Sequence, residues 1–334
     1  MNPTRPLDRR LSVAPMMDVT DRHCRYLLRL ITRRTLLYTE MVTAAAVIHG
    51  NRARLLGFDP FEKPLALQLA GAEPEALARA AAHGQDFGYD EINLNIGCPS
   101  ERVQNARFGA CLMAEPETVA SCVAEIRKAI DLPVTVKCRI GIDGRERYED
   151  LRAFVDRVAE AGCRSFIVHA RIAVLAGLSP KQNREVPPLR YDDVRRLKAE
   201  RPELEIVLNG GIGALDQARA HLDTFDGVMI GRAAYERPMM LAEADRQIFG
   251  VGGAPPDRHA IARAMIPYVE AELARGGQFY GIARHMLGLF NGLPGARAFR
   301  RYLAENGPRA TAGAAVLARA IDLVPEPSSA QAAE

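Results

Sequence analysis

Pro133-Val-Thr-Val-Lys-Cys-Arg-Ile140 is followed by Tyr148-Glu-Asp-Leu-Arg-Ala-Phe-Val-Asp-Arg-Val-Ala-Glu-Ala161 and then by Ser165-Phe-Ile-Val-His-Ala170. The outer two segments are short apolar runs, and the middle one has helical periodicity. Strand, helix, strand is the repeat of a parallel sheet. The alternation continues in both directions. Further runs of strand length lie at Leu11–Met17, Leu36–Val42, Pro64–Ala70, Glu91–Ile96, Glu205–Leu208 and Gly227–Ile230, and helical patterns such as Pro116–Ile130, Tyr191–Arg201 and Leu215–Leu222 separate them. None of the runs shows strict alternation, as expected of strands buried on both faces. Eight such units fit between Leu11 and Gly250, close to the roughly 250 residues of a (β/α)8 barrel. A doubly wound sheet would usually carry a glycine-rich dinucleotide turn after an early strand, and Ala14–Asp18 has none. The expected fold class is therefore α/β, a TIM (β/α)8 barrel.

From Pro255 the texture changes. Four helical patterns follow without a further strand: Arg258–Arg275, Tyr280–Leu289, Ala296–Glu305 and Ala312–Leu323. Gly276-Gly277, Asn291-Gly292 and Asn306-Gly307-Pro308 punctuate them as helix stops. The sequence thus predicts a barrel domain over 1–250, a small helical bundle over 251–324 and a disordered tail over 325–334.

The 334 residues are 48% hydrophobic and 25% charged, an ordinary globular composition. No run of 18 apolar residues exists to span a membrane, and the basic stretch Met1–Leu11 lacks the apolar core of a signal peptide. A cytoplasmic protein without a membrane partner is expected. Six scattered cysteines form no CxxC pair and no cluster with histidine, so reduced thiols fit better than disulfides, and no metal site is expected. The net charge of +3 argues against a nucleic-acid partner when averaged over the chain. Local charge does not. Residues 178–201 hold seven Lys/Arg against four acids, and residues 284–309 hold five Arg against Glu305, so the remainder is net acidic.

Barrel chemistry belongs to the C-terminal ends of the strands. Polar residues arrive there from six of the eight: Gln68, Asn95 with Cys98, Lys137 with Arg139, His169 with Arg171, Asn209-Gly210-Gly211 and Gly231-Arg232. The last two groups supply backbone amides and a fixed cation, a combination suited to phosphate; tight βα turns are the plainer reading of either alone. Lys137 is expensive inside an apolar run unless paired. A Schiff-base amine, a fixed cation beside an anionic ligand and a structural ion pair are all compatible with it. His169 alone reads as a core histidine, but beside Lys137 it reads as a ligand contact. Cys98 is presented in a loop by Gly97 and Pro99, and Cys111 ranks next. A thiol with an ordinary pKa near 8.5 is mostly protonated at neutral pH and can act as a general acid as readily as a nucleophile.

These residues resemble those of the tRNA-dihydrouridine synthases. The resemblance is carried by Ala14-Pro15-Met16, Leu67–Gly71, Asn93–Pro99, Gly109–Met113, Val136–Arg139, Val168–Arg171, Asn209–Gly211 and Ile230–Arg232, and runs from about Leu11 to Gly307. Asn183–Leu189 and Gly295–Leu303 are similar to the branch that modifies positions 20 and 20a of the tRNA D-loop. Phe299 stands where that branch often has tryptophan, and Ala106 where glycine is usual. The resemblance implies a flavin-binding barrel and a helical tRNA-binding domain, FMN reduced by NADPH, and reduction of the uracil C5=C6 bond. It implies hydride transfer from FMN N5 to C6 and a proton from Cys98 to C5. Pro15, Met16, Met17 and Gln68 would line the flavin, Lys137 and His169 would contact it, and Asn209, Gly210, Gly211, Gly231 and Arg232 would hold its phosphate. Asn95 would contact the target uridine, and Lys181, Arg184, Arg300 and Arg301 the tRNA. The chain is expected to act as a monomer without a DNA partner.

Three rivals remain at this point. A flavin barrel acting on small molecules shares the barrel features but not the Arg-rich helical domain. An aldolase using Lys137 needs neither Cys98 nor a flavin. A non-catalytic RNA-binding protein would carry no flavin.

Overall fold

The computed structural model describes residues 7–326, so the predicted tail lies outside the described residues from 327 onward. Eight parallel strands form one sheet: β1 (Leu11–Val13), β2 (Leu37–Thr43), β3 (Leu65–Ala70), β4 (Glu91–Ile96), β5 (Val134–Arg139), β6 (Ser165–His169), β7 (Glu205–Asn209) and β8 (Gly227–Ile230). They are ordered as in the chain from β2 to β8, and β8 pairs with β1. A parallel bridge between Ser12 and Leu36 joins the remaining edges. There Val13 N–H donates to Leu36 O at 2.9 Å, and Leu36 N–H donates to Leu11 O at 3.1 Å. The sheet closes on itself as a TIM (β/α)8 barrel.

The strands match the predicted runs closely except β1, which ends at Val13 rather than Met17. Ala14 N–H still donates to Ile230 O at 2.8 Å, but Pro15 has no N–H to continue the ladder. The outward face of the sheet is apolar and packs tightly on helices. A Cβ on Gly84, in the helix Pro74–Phe87, would lie 2.7 Å from Leu67 Cδ2 and 2.8 Å from Ile92 Cδ1. Leu67 and Ile92 therefore point outward, and their neighbours Gln68 and Asn93 point into the barrel, because successive strand side chains alternate.

Inside, Ala14, Leu36, Tyr38, Ala66, Ile167, Val207 and Met229 form an apolar cluster. At the N-terminal end of the strands, Arg9 Nε pairs with Glu91 Oε2 at 2.6 Å and its Nη1 with Glu205 Oε2 at 3.0 Å. Burial opposes the Arg9 charge, but the two carboxylates outweigh burial and hold its pKa above the ordinary value. Removing either carboxylate would leave a buried cation short of a partner, a loss on the order of 3–5 kcal/mol for such pairs. Strand β4 corrects a sequence expectation. Glu91, Asn93 and Asn95 alternate strictly with Ile92, Leu94 and Ile96, with the polar set turned inward.

The described chain falls into two compact units, residues 7–20 with Arg34–Gly231 and Asp21–Arg33 with residues 232–326. The division thus comes after Gly231 rather than near residue 250, and the helix Arg22–Ile31 groups with the second unit. The Asp21 carboxylate shows why. It caps that helix by accepting from His23 N–H and Cys24 N–H, both at 3.0 Å. It also accepts from Arg284 Nη2 at 2.8 Å and lies 3.0 Å from His285 Nε2. Tyr26 stacks on Tyr268 with ring centroids 3.9 Å apart. The rest of this unit is helical, with Arg258–Ala274, Phe279–Ala283, Ala296–Asn306 and Ala314–Ile321 as its main elements. Among the described residues no helix is long and apolar enough to cross a membrane.

Candidate functional site

The sheet register gathers the predicted strand-end residues into one ring. Asn95 lies beside Lys137, Arg139 beside His169, and His169 beside Asn209. Gln68 joins them from β3, its Oε1 accepting from Asn95 Nδ2 at 2.9 Å.

Lys137 Nζ donates to Asn209 Oδ1 at 3.0 Å, and Asn209 Nδ2 donates to Met229 O at 2.8 Å. Its recorded partner is an amide, so the ion-pair reading of Lys137 does not describe the contact seen. Burial, and after it the neighbouring Arg139, lowers the lysine pKa to about 8. Burial also holds His169 well below its ordinary pKa, reinforced by the charges of Arg139, Lys137, Arg171 and Arg184. Four cations thus act together against protonation of one buried imidazole. That environment favours an anion.

Gly210 and Gly211 take φ of +113° and +73°, a backbone region that favours glycine. A Cβ on Gly210 would lie 2.7 Å from His169 Cδ2, so the turn also lets the ring approach. At Gly231 a Cβ would meet only Ala14 Cβ, at 3.9 Å, leaving its backbone open to a ligand. Arg232 is the next residue and opens the helix Arg232–Glu236 of the second unit. On the segment after β1, Met16 N–H donates to Thr20 Oγ1 at 3.0 Å, and Met17 is 52% exposed. Asp18 follows in the left-handed region at φ 60°, which is uncommon without glycine.

Cys98 lies in the loop after β4, half-buried, as the sequence predicts. Asn95 Oδ1 accepts from Gly97 N–H at 3.1 Å and from Cys98 N–H at 3.0 Å. The thiol sits 3.5 Å from Ser100 Oγ. The other cysteines are less suited to proton transfer. Burial pushes Cys122, Cys138 and Cys163 up to about 12, and burial followed by Glu115 raises Cys111. Cys163 lies in the connection before β6.

Lys181 and Arg184 are exposed at either end of a short 3-10 turn whose buried residue is Asn183. Asn183 Oδ1 accepts from Val174 N–H and its Nδ2 donates to Val174 O, both at 2.8 Å, which pins the loop. In the second unit, Arg300 Nη1 donates to Asn291 Oδ1 at 2.6 Å, and Arg301 is exposed on the same helix. Among the described residues no group of three or more His, Cys, Asp or Glu is arranged to hold a metal ion.

Sequence reasoning places Arg139 at the strand ends without giving it a role, and it misses the residues that support the ring from below. Arg139 donates from Nη1 to Asn183 O at 2.8 Å and Ile172 O at 3.0 Å, and from Nε to Gly97 O at 3.2 Å. Glu91, Asn93 and Thr135 form a polar column beneath the ring. The period-2 spacing of Glu91, Asn93 and Asn95 was the available signal.

A closed parallel barrel with cationic side chains and a thiol at its strand ends defines a TIM-barrel protein whose strand-end site suits an anionic ligand. Comparison with known proteins narrows this. The family model described as Dihydrouridine synthase (Dus) matches residues 12–324, and the chain belongs to that family. It is 57% identical over 311 residues to the tRNA-dihydrouridine(20/20a) synthase of Synechocystis sp., covering 93% of each chain. It is 58% identical to the Pseudomonas syringae protein of that name, covering 90% of each. It is 55% identical to the one from Escherichia coli, covering 94% of this chain and 91% of that one. Among solved structures, morphinone reductase in complex with tetrahydroNAD shares the fold, with a TM-score of 0.51 and 12% identity over 75% of this chain and 90% of the other. A 2-naphthoyl-CoA reductase complex has a TM-score of 0.54 at 13% identity, covering 70% of this chain and 49% of that one.

Proposed function

We propose that the chain is a tRNA-dihydrouridine(20/20a) synthase, an FMN-dependent oxidoreductase that uses NADPH to reduce the C5=C6 bond of uridine in the tRNA D-loop. The observation that carries this reading is the half-buried Cys98 thiol on the loop next to the ring of Lys137, His169 and Asn209. The donor set suits a flavin. An open backbone at Gly231, the amides of Gly210 and Gly211, and Arg232 match its phosphate, while Pro15, Met16, Met17 and Gln68 give it a wall. Lys137 and His169 match the ring system and ribityl chain.

When bound, the reduced flavin supplies the hydride for uracil C6. The negative charge that develops on the pyrimidine then needs a proton at C5. Cys98 Sγ supplies it, and Asn95 holds the Cys98 backbone while that happens. One Nδ2 hydrogen of Asn95 is engaged by Gln68, and the second would meet the uridine. Lys137 brings a cation already stripped of water, which stabilises negative charge more than a solvated one would. A base stacked in folded tRNA must be flipped out to reach a barrel mouth. Lys181, Arg184, Arg300 and Arg301 would hold the phosphates of the RNA, the last two from a helical unit serving as tRNA-binding domain. The protein would work as a cytoplasmic monomer.

The test is direct. Purified protein with FMN, NADPH and an unmodified tRNA transcript is expected to form dihydrouridine at positions 20 and 20a. A flavin-loaded protein that oxidises NADPH but leaves the transcript unchanged overturns the reading.

A further inference from the structure

A line of hydrogen bonds crosses the barrel from its N-terminal end to the cysteine loop. Thr135 Oγ1 donates to Glu91 Oε1 at 2.6 Å, and Asn93 Nδ2 donates to Thr135 Oγ1 at 2.8 Å. Gln68 Nε2 donates to Asn93 Oδ1 at 2.7 Å, and Asn95 Nδ2 donates to Gln68 Oε1 at 2.9 Å. Asn95 Oδ1 then accepts the N–H groups of Gly97 and Cys98. Every donor faces the same way, toward Glu91.

That direction has a cause. Hydroxyls and carboxamides can each be turned either way, but an ionised carboxylate only accepts. Glu91 is fully buried and is held by Arg9 Nε at 2.6 Å and by Tyr38 OH at 2.7 Å. Thr135 must therefore spend its hydrogen on Glu91 and can only accept from Asn93. Asn93 then shows its oxygen to Gln68, and Gln68 shows its oxygen to Asn95. The last consequence is that Asn95 presents oxygen, not NH2, to the two backbone N–H groups at Cys98. Reversed, it would face donors with a donor, and the loop would lose both anchors.

We infer that Glu91 is a remote positioning residue for Cys98, acting through Thr135, Asn93, Gln68 and Asn95. Its consequence for turnover rests on the proton-donor role proposed above; its consequence for the thiol does not. The test uses Thr135→Val, which keeps the shape but loses the hydroxyl, and Thr135→Ser, which keeps the hydroxyl but loses the methyl. Two quantities are measured in the flavin-loaded full-length protein: turnover on tRNA, and the rate at which iodoacetamide alkylates Cys98, read on its peptide by mass spectrometry. Thr135→Val is expected to lower kcat about tenfold with KM for tRNA and flavin content unchanged. It should also shift the Cys98 alkylation rate severalfold. Thr135→Ser should stay within about twofold of wild type in both. The opposite order, with valine tolerated and serine damaging, means that Thr135 matters only for packing and overturns the inference. If the wild type forms no dihydrouridine, the functional reading fails, and the alkylation rates of the two variants alone decide the relay.

Discussion

Arg139 Nη1 donates to the main-chain carbonyl of Asn183 at 2.8 Å, between the exposed cations Lys181 and Arg184. Through Nε the same guanidinium holds Gly97 O at 3.2 Å, next to Cys98. A loop with the charges to meet RNA and the loop that carries the thiol are therefore fastened to one rigid, planar group. Burial, and not any acid nearby, dominates its titration and lowers its pKa to about 10. Lysine retains the charge but lacks the fork that reaches three carbonyls. Arg139→Lys should lower kcat/KM for tRNA by roughly 10–100-fold, about 1.4–2.7 kcal/mol, while the flavin absorbance is retained. Steady-state kinetics on a tRNA transcript, beside a flavin spectrum, checks this.

Cys98→Ala should bind flavin and oxidise NADPH at the wild-type rate, because the thiol is assigned to the uridine step alone. Dihydrouridine formation should fall by about two to four orders of magnitude, the range for loss of a general acid. Single-turnover reduction of unmodified transcript measures that step. Full product formation by this variant would remove Cys98 from the proton path.

Burying Lys137 costs stability, which its proposed role in flavin binding would explain. Its pKa in the folded chain is about 8, against an ordinary 10.5. Below pH 8 the amine is charged in both states, and the native state bears the whole penalty of burying it. Between pH 8 and 10.5 the unfolded chain holds a proton that the native chain does not, so raising the pH relieves the penalty. Flavin-free Lys137→Met should thus be more stable than wild type by about 1–2 kcal/mol at pH 7, after allowing for the donor lost at Asn209. The advantage should shrink as pH approaches 10.5, and flavin affinity should drop. Thermal melts at pH 7 and pH 10, with a flavin titration, test both signs.

Arg300→Ala should weaken tRNA binding and reduce the slope of log K against log salt by about one, because one phosphate contact releases about one counterion. Flavin content should not change. Loss of flavin or of the folded second unit would instead assign Arg300, which holds Asn291 at 2.6 Å, to structure.

Much of this architecture is legible in the sequence. Strands such as β5 and β6 read as apolar runs because a parallel sheet is covered on both faces, and the glycines after β7 marked a turn for the same steric reason that their φ values now show. The strand-end ring was legible because barrel topology places C-terminal ends together. Two things were hidden. The alternation in β4 marks a polar face but not what satisfies it: Glu91 and Asn93 both bond Thr135, 44 and 42 positions away, and no local pattern announces that partner. The helix Arg22–Ile31 follows β1 as a barrel helix should, yet the groups that hold its Asp21 cap and stack on its Tyr26 ring come from residues beyond 260. Which neighbour a helix chooses is a long-range contact, not a periodicity.

Reduction of uridine in the D-loop of tRNA is the activity on which the other proposals depend. Dihydrouridine mapping of tRNA from a strain lacking the gene, and from the same strain complemented with wild type and with Cys98→Ala, tests it most directly. The modification at positions 20 and 20a is expected to vanish on deletion, to return with the wild type and to stay absent with Cys98→Ala. Unchanged dihydrouridine at both positions after deletion would contradict it.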